Sequence, residues 1–235
     1  SLKTDILVVG GGTAGVVAAI QAGRAGRQVI VVEAGSQLGG VTTTGGVNFP
    51  GIFHAWGKQV IGGIGWEIVQ ETVALNGDTL PNFSIPHGRQ HWKHQVRLSG
   101  HLYAALAEEK CIQAGVQLRY YETPVNVSFA KNQWTVKTVG KGTETEIVCN
   151  QLVDCTGNAF VANIAGFDLL REDVIQPGTL QFLLGGYDFE TLDLKKLEAL
   201  YDEEVKKGKL IKKEFRSIVS LLKGRGDNIQ HVFGA

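Results

Sequence analysis

The chain has 235 residues, a formal net charge of zero and 43% hydrophobic residues. That length suits one large domain or two small ones, and the neutral balance gives no electrostatic drive toward nucleic acid or an anionic membrane surface. No apolar stretch is long enough to span a bilayer and no signal peptide is visible; the three cysteines form no Cys-x-x-Cys pair, which favours a reducing, cytoplasmic setting and supplies no metal framework.

The first predicted elements are a strand over 5–10, a helix over 13–26 and a strand over 28–33. The apolar run Ile6 to Val9 leads into Gly10-x-Gly12-x-x-Gly15, and the second run, Val29 to Val32, ends on Glu33. This spacing predicts a dinucleotide site. Gly10 permits a sharp bend, Gly12 lets a pyrophosphate approach the backbone, and Gly15 lets the helix lie close to the sheet. Thr13 and Ala14 open a helix whose free N–H groups and dipole favour phosphate. Glu33 is placed to accept hydrogen bonds from an adenosine ribose.

After Glu33 and Ala34 the chain spends a long run on Gly, Thr and Ser, including Gly39, Gly40, Thr42, Thr43 and Thr44. A domain that binds NAD would usually reach its next helix after a short connection. Bare amides and hydroxyls suit a loop that follows an extended polar ligand. Next come a predicted helix over 58–75, a polar loop over 76–94 with several turn signals, and a second helix over 95–114. From 116 to 155 the pattern alternates, which predicts a β-meander ahead of the last sheet strand. That strand runs into Gln151-Leu-Val-Asp-Cys-Thr-Gly-Asn158. A further strand is predicted near 179–184 and two charged helices over 191–223.

Glu33, a short spacer and Gly39-Gly40 resemble the FAD-binding flavoproteins of the glutathione-reductase-like superfamily. The stretch from Leu38 to Gly51 looks like its branch of FAD-dependent oxidoreductases, which includes relatives of the heterodisulfide reductase A subunit. More distantly it resembles the succinate dehydrogenase flavoprotein group. Residues 155–158 resemble the turn that closes over FAD in this superfamily, with Cys155 where relatives have Ala and Asn158 where they have Asp. The resemblance implies that Thr156, Gly157 and Asn158 close over the cofactor and that Val125 pairs its backbone with the adenine. It also implies that the segment holding the flavin lies near the far end of a longer protein, so the ending at Ala235 reads as an interruption.

The implied fold is α/β: a doubly wound parallel sheet of the FAD/NAD(P)-binding Rossmann-like type, with an inserted meander and part of a second domain. Residues 1–50 and 95–170 would be the two parts of the FAD domain, 51–94 a helical and loop insertion, and 171–235 the start of a substrate or cap domain. His54 follows the loop that runs beside the flavin in relatives, which makes it the candidate proton donor. His87, Arg89 and His91 are the candidate substrate residues, with Lys93 and Arg97 adding charge suited to an anionic substrate. No metal is expected at the three histidines His87, His91 and His94, which have no acid or cysteine among them. Residues 40–60 contain no cysteine, which excludes a dithiol mechanism there.

The reading is therefore an enzyme, an FAD-dependent oxidoreductase moving a hydride between a small organic substrate and flavin, with an unidentified electron acceptor. Its rivals are an NAD(P)-dependent dehydrogenase and a non-redox flavoprotein, either a lyase or hydratase or a protein with structural FAD.

Overall fold

The computed structural model describes residues 1–175, 180–211 and 229–234. β1 (Leu2–Val9), α1 (Thr13–Arg24) and β2 (Val29–Glu33) form the opening β-α-β unit. Side chains alternate along these strands between two buried faces. Val8, Val29 and Val31 share a core with Val16, Ala19 and Ile20 of α1. Leu7, Val9, Ile30 and Val32 face a second core. A strand covered on both sides reads as a continuous apolar run, as these do.

A short hairpin follows: β3 (His54–Ala55) and β4 (Lys58–Gln59). Next come α2 (Ile64–Leu75) and α3 (Gly100–Gln113). Ile68, Val69 and Val73 of α2 and Tyr103, Ala107 and Cys111 of α3 join α1 over the first face of the sheet. Both helices start later than the periodicity predicts. Residues 58–59 belong to the hairpin, and Gly63, at φ 77°, sets the turn into α2. Residues 95–99 form a strap with Val96 and Leu98 buried. The Leu98 N–H donates to the Asn48 carbonyl at 2.8 Å, and Asn48 Nδ2 donates to the Leu98 carbonyl at 2.9 Å. Ser99 caps α3 by accepting from the Leu102 N–H. Tertiary pairing thus takes a segment whose apolar spacing alone extends the helix.

β5 (Gln117–Tyr120), β6 (Thr123–Ala130), β7 (Gln133–Gly140) and β8 (Thr143–Asp154) complete one six-stranded sheet in the order β5-β2-β1-β8-β7-β6. β5, β2, β1 and β8 are mutually parallel, and β7 runs antiparallel to β8 and β6. The predicted meander is corrected at both ends. Its first strand, β5, pairs in parallel with β2 and belongs to the nucleotide-type sheet. Its last, β8, is also the last parallel strand: it pairs with β7 over Thr143–Cys149 and with β1 over Ile147–Asp154. Val127, Val136 and Ile147 of the meander and Val161 of α4 (Phe160–Ile164) cover the second face.

Contacts divide the chain into Ser1–Leu170 and Arg171–Ala235. In the second unit β9 (Leu180–Gly185) pairs antiparallel with β10 (Ile229–Gly234). Between them lies α5 (Leu194–Lys206), capped by Asp193, whose carboxylate accepts from the Lys196 N–H at 3.0 Å. The second charged helix expected before 223 falls largely outside the described residues.

A candidate dinucleotide-binding site

The parallel strands β1, β2 and β8 deliver their C-terminal ends to one cavity of about 420 Å³. The strand order reverses between β1 and β8, which is where open α/β sheets bind ligands. Val9, Gly10, Gly12, Thr13 and Ala14 form one wall, Val32, Glu33 and Ala34 a second, and Cys155, Thr156, Gly157 and Asn158 a third. Most of the residues expected to hold a dinucleotide are thus brought together from three distant parts of the chain.

Close packing builds the turn. Gly10 sits at φ 98°, and a Cβ there would run into the Cys155 carbonyl. A Cβ on Gly15 would run into the Gly10 carbonyl, so Gly15 serves the helix–turn contact and does not line the cavity. Gly12 differs, since a Cβ there would meet nothing nearer than Gly40 Cα at 4.0 Å. Its missing side chain leaves space open to the cavity. Gly12 caps α1 without a side-chain hydrogen bond, and the first turn has no acidic residue. The first N–H groups of a helix have no intrahelical acceptor, and Thr13 and Ala14 present theirs at the cavity wall. This cradle fits a pyrophosphate.

The Gly/Thr loop is fastened to that turn. Gly39 donates its N–H to the Gly11 carbonyl at 2.8 Å and makes a parallel bridge to Gly12. The Thr43 hydroxyl donates to the Leu38 carbonyl at 2.7 Å. Thr42 is buried, and Thr44 accepts from Gln37 Nε2 at 3.4 Å. Gly40 and Val41 line the cavity, whereas Gly39, Thr42, Thr43 and Thr44 do not. These four shape the loop.

Glu33 faces the cavity with its carboxylate already held. Oε2 accepts from the Gly11 N–H at 2.7 Å and Oε1 from the Gly35 N–H at 2.6 Å. Each carboxylate oxygen can accept a second bond, which leaves capacity for ribose hydroxyls.

Asp154 organises the third wall and was not singled out by motif reading. Its Oδ1 accepts from the Thr156 N–H at 3.0 Å and from the Thr156 hydroxyl at 2.6 Å, and its Oδ2 accepts from the Ala162 N–H at 2.9 Å. Burial pushes its carboxyl upward, but the hydrogen bonds from Thr156, Ala162 and Val161 outweigh that and hold it below its ordinary value. The signal was an Asp two residues before a turn threonine, a pattern that favours side-chain bonding to the following backbone. Burial, then the charge of Asp154, raises the neighbouring Cys155 thiol.

Glu122, Thr123, Pro124 and Phe160 also line the cavity. Glu122 is buried and anchored by Arg119 at 2.6 Å and by the Thr138 hydroxyl at 2.9 Å. No motif marked it, because its position depends on how β5 turns into β6. Val125 does not line the cavity; it is half-exposed, at the point where the register between β6 and β7 slips.

The remaining candidates lie apart from the cavity lining. His54 stacks on Phe83 with ring centroids 3.8 Å apart and meets the Trp66 ring edge at 5.2 Å. Its Nδ1 is buried without a hydrogen-bond partner. Burial and then the nearby His94 lower its basicity. His87 and His94 have ring centroids 4.9 Å apart, and His94 Nε2 lies 2.9 Å from the Ile85 carbonyl oxygen. His91 is exposed against Trp92, and Arg89 is exposed. Among the described residues no group of three His, Cys, Asp or Glu could hold a metal ion, and no helix is long and apolar enough to cross a membrane.

Comparison with known proteins agrees with this geometry. A family described as FAD dependent oxidoreductase matches residues 5–225. No curated protein matches the chain. OxyS, an anhydrotetracycline hydroxylase from Streptomyces rimosus, is similar at 17% identity and a TM-score of 0.53, over 78% of this chain and 37% of that one. CabE, an aromatic hydroxylase from angucycline biosynthesis, is similar at 18% identity and a TM-score of 0.51, over 79% of this chain and 37% of that one. These two likenesses concern the fold, and this chain spans only 37% of the length of either protein. With nearly its whole length matched, the chain belongs to the FAD dependent oxidoreductase family.

Proposed function

We propose that this chain binds FAD in the three-walled cavity and serves an oxidoreductase that moves a hydride between a small organic substrate and the flavin. The observation that carries this reading is the convergence of the Gly10–Gly15 turn, Glu33 and the Thr156–Asn158 turn on one cavity. FAD, when bound, supplies the redox chemistry. The chain's residues bind and orient it. The first turn of α1 receives the pyrophosphate, Glu33 accepts from the adenosine ribose, and the turn held by Asp154 closes the third side. A separate acceptor takes the electrons onward. The likeness of Leu38–Gly51 to relatives of the heterodisulfide reductase A subunit supports placing the chain in that branch.

The test is the visible absorption spectrum of the purified protein, followed by release and identification of the chromophore. A yellow protein that releases FAD, and whose flavin is bleached anaerobically by substrate, is the expected result. A colourless protein that takes up NAD but not FAD would falsify the reading. A bound flavin that never changes redox state in turnover would instead make this a non-redox flavoprotein.

A further inference from the structure

The chain is neutral overall, but its charges are unevenly placed. From Thr79 to Ala107 there is no Asp or Glu, while the same stretch carries Arg89, Lys93, Arg97 and four of the six histidines. In the structure this stretch exposes Arg89, His91, Trp92, Lys93 and Arg97. Arg89 and Lys93 form no salt bridge among the described residues. His87 lies close enough to Lys93 and His94 for both to disfavour its protonation, after the larger effect of burial, and no carboxylate offsets them. Cations gathered without counter-charges raise the local concentration of anions, and an arginine fork matches the geometry of carboxylate or phosphate oxygens.

The stretch is also tied to the cofactor loop. The two hydrogen bonds between Leu98 and Asn48 fix its end beside residues 42–48. A Cβ on Gly100 would lie only 3.4 Å from the Thr42 carbonyl oxygen. His94 reaches inward to Phe83, with ring centroids 5.8 Å apart, and Phe83 carries His54 on its face. Rings therefore connect the basic surface to the half-buried His54, whose Nδ1 is enclosed without a hydrogen-bond partner.

We propose that Arg89 and Lys93, with His87 and His91, form an oxyanion-binding face that takes the carboxylate or phosphate of an anionic substrate. This rests on the flavoprotein reading, because the Gly/Thr loop is what relates the face to the cofactor. Exposed Trp92 beside His91 offers an apolar surface for the substrate's carbon skeleton.

The test is calorimetric titration of the FAD-loaded protein with succinate and, separately, inorganic phosphate, at matched ionic strength. Saturable binding of at least one probe is expected. It should weaken about tenfold or more, close to 1.4 kcal/mol, in the Arg89→Ala/Lys93→Ala variant and recover in Arg89→Lys/Lys93→Arg. Preference for succinate names a carboxylate substrate, and preference for phosphate a phosphorylated one. FAD content should be the same in all variants. Absence of saturable binding by both probes, or equal binding by the alanine variant, overturns the proposal. A wild-type protein that takes up no FAD overturns the flavoprotein reading instead, and the two failures are distinguishable because the anion titration can be repeated on the cofactor-free protein.

Discussion

The Glu33 carboxylate and the Gly11 amide are joined by a 2.7 Å hydrogen bond that ties the end of β2 to the glycine turn after β1. The other carboxylate oxygen takes the Gly35 N–H. Glu33 therefore supports the turn by itself, without a ligand. Glu33→Ala strands both amides, at a cost of about 1–3 kcal/mol for each that stays dry. Glu33→Gln keeps only one carbonyl acceptor. Loss of stability is expected in both variants, larger in Ala, together with weaker FAD binding. Urea unfolding with and without FAD separates the two effects. An unchanged FAD affinity in both variants would remove Glu33 from the binding site.

Gly12 and Gly15 should fail in different ways. A methyl at Gly15 meets the Gly10 carbonyl inside the fold, whereas a methyl at Gly12 meets open cavity. Gly15→Ala is expected to destabilise the protein by about 1–3 kcal/mol through overpacking. Gly12→Ala should unfold at nearly the wild-type temperature and lose FAD affinity by an order of magnitude or more, because the methyl blocks approach of the pyrophosphate. Thermal melts of cofactor-free protein and FAD titrations make the comparison. Equal loss of stability in the two variants would contradict the geometry.

Asp154 gives a pH dependence of definite sign. Its carboxyl is held below its ordinary value of 3.8 by hydrogen bonds from the Thr156 turn and from α4, against the opposing effect of burial. A depressed folded value stabilises the protein above the unfolded pKa, and the benefit is lost as pH falls through the folded value. Wild type should lose stability relative to Asp154→Asn from about pH 4 downward, while at neutral pH it is the more stable. Urea midpoints across that range test this, and parallel curves would show that Asp154 contributes nothing by charge.

Two ion pairs in the same fold should behave differently. Glu122 is buried and shares its carboxylate between Arg119 and Thr138. Arg24–Glu67, at 2.8 Å, has both side chains more than 40% exposed. Glu122→Ala takes the carboxylate from Arg119, which keeps the Thr145 hydroxyl at 3.1 Å, and is expected to cost about 3 kcal/mol. Glu67→Ala should cost at most about 1 kcal/mol, since solvent screens that pair. Because Glu122 lines the cavity, its loss should also weaken FAD binding, whereas the Glu67 variant should bind normally. Chemical denaturation and FAD titration of the two variants suffice.

The β-α-β unit was legible because its determinants are local. Apolar runs buried on two faces, the Gly10–Gly15 spacing and Glu33 at the strand end lie within one short stretch, and each reports a backbone constraint that few other residues satisfy. The Thr156–Asn158 turn was legible by its motif, although only the parallel pairing of β8 with β1 carries it to Gly10. The elements misjudged by spacing depended on distant partners. The strap at 95–99 looks helical until Asn48 takes the Leu98 backbone, and β5 looks like the start of a meander until β2 claims its edge. Glu122 gave no periodic signal, because its bond from the Thr138 hydroxyl forms only when β6 and β7 pair, whereas Asp154 bonds to the turn and helix that directly follow it, a local pattern that motif reading passed over. Sequence alone determined the Rossmann-like β-α-β unit and its glycine turn, since glycine sterics and strand burial are local. That Glu122 stands behind the cavity, and which residues merely shape the Gly/Thr loop, was decided by tertiary structure, because the Thr138–Glu122 and Gly39–Gly11 bonds join segments far apart in the chain and have no imprint in residue spacing.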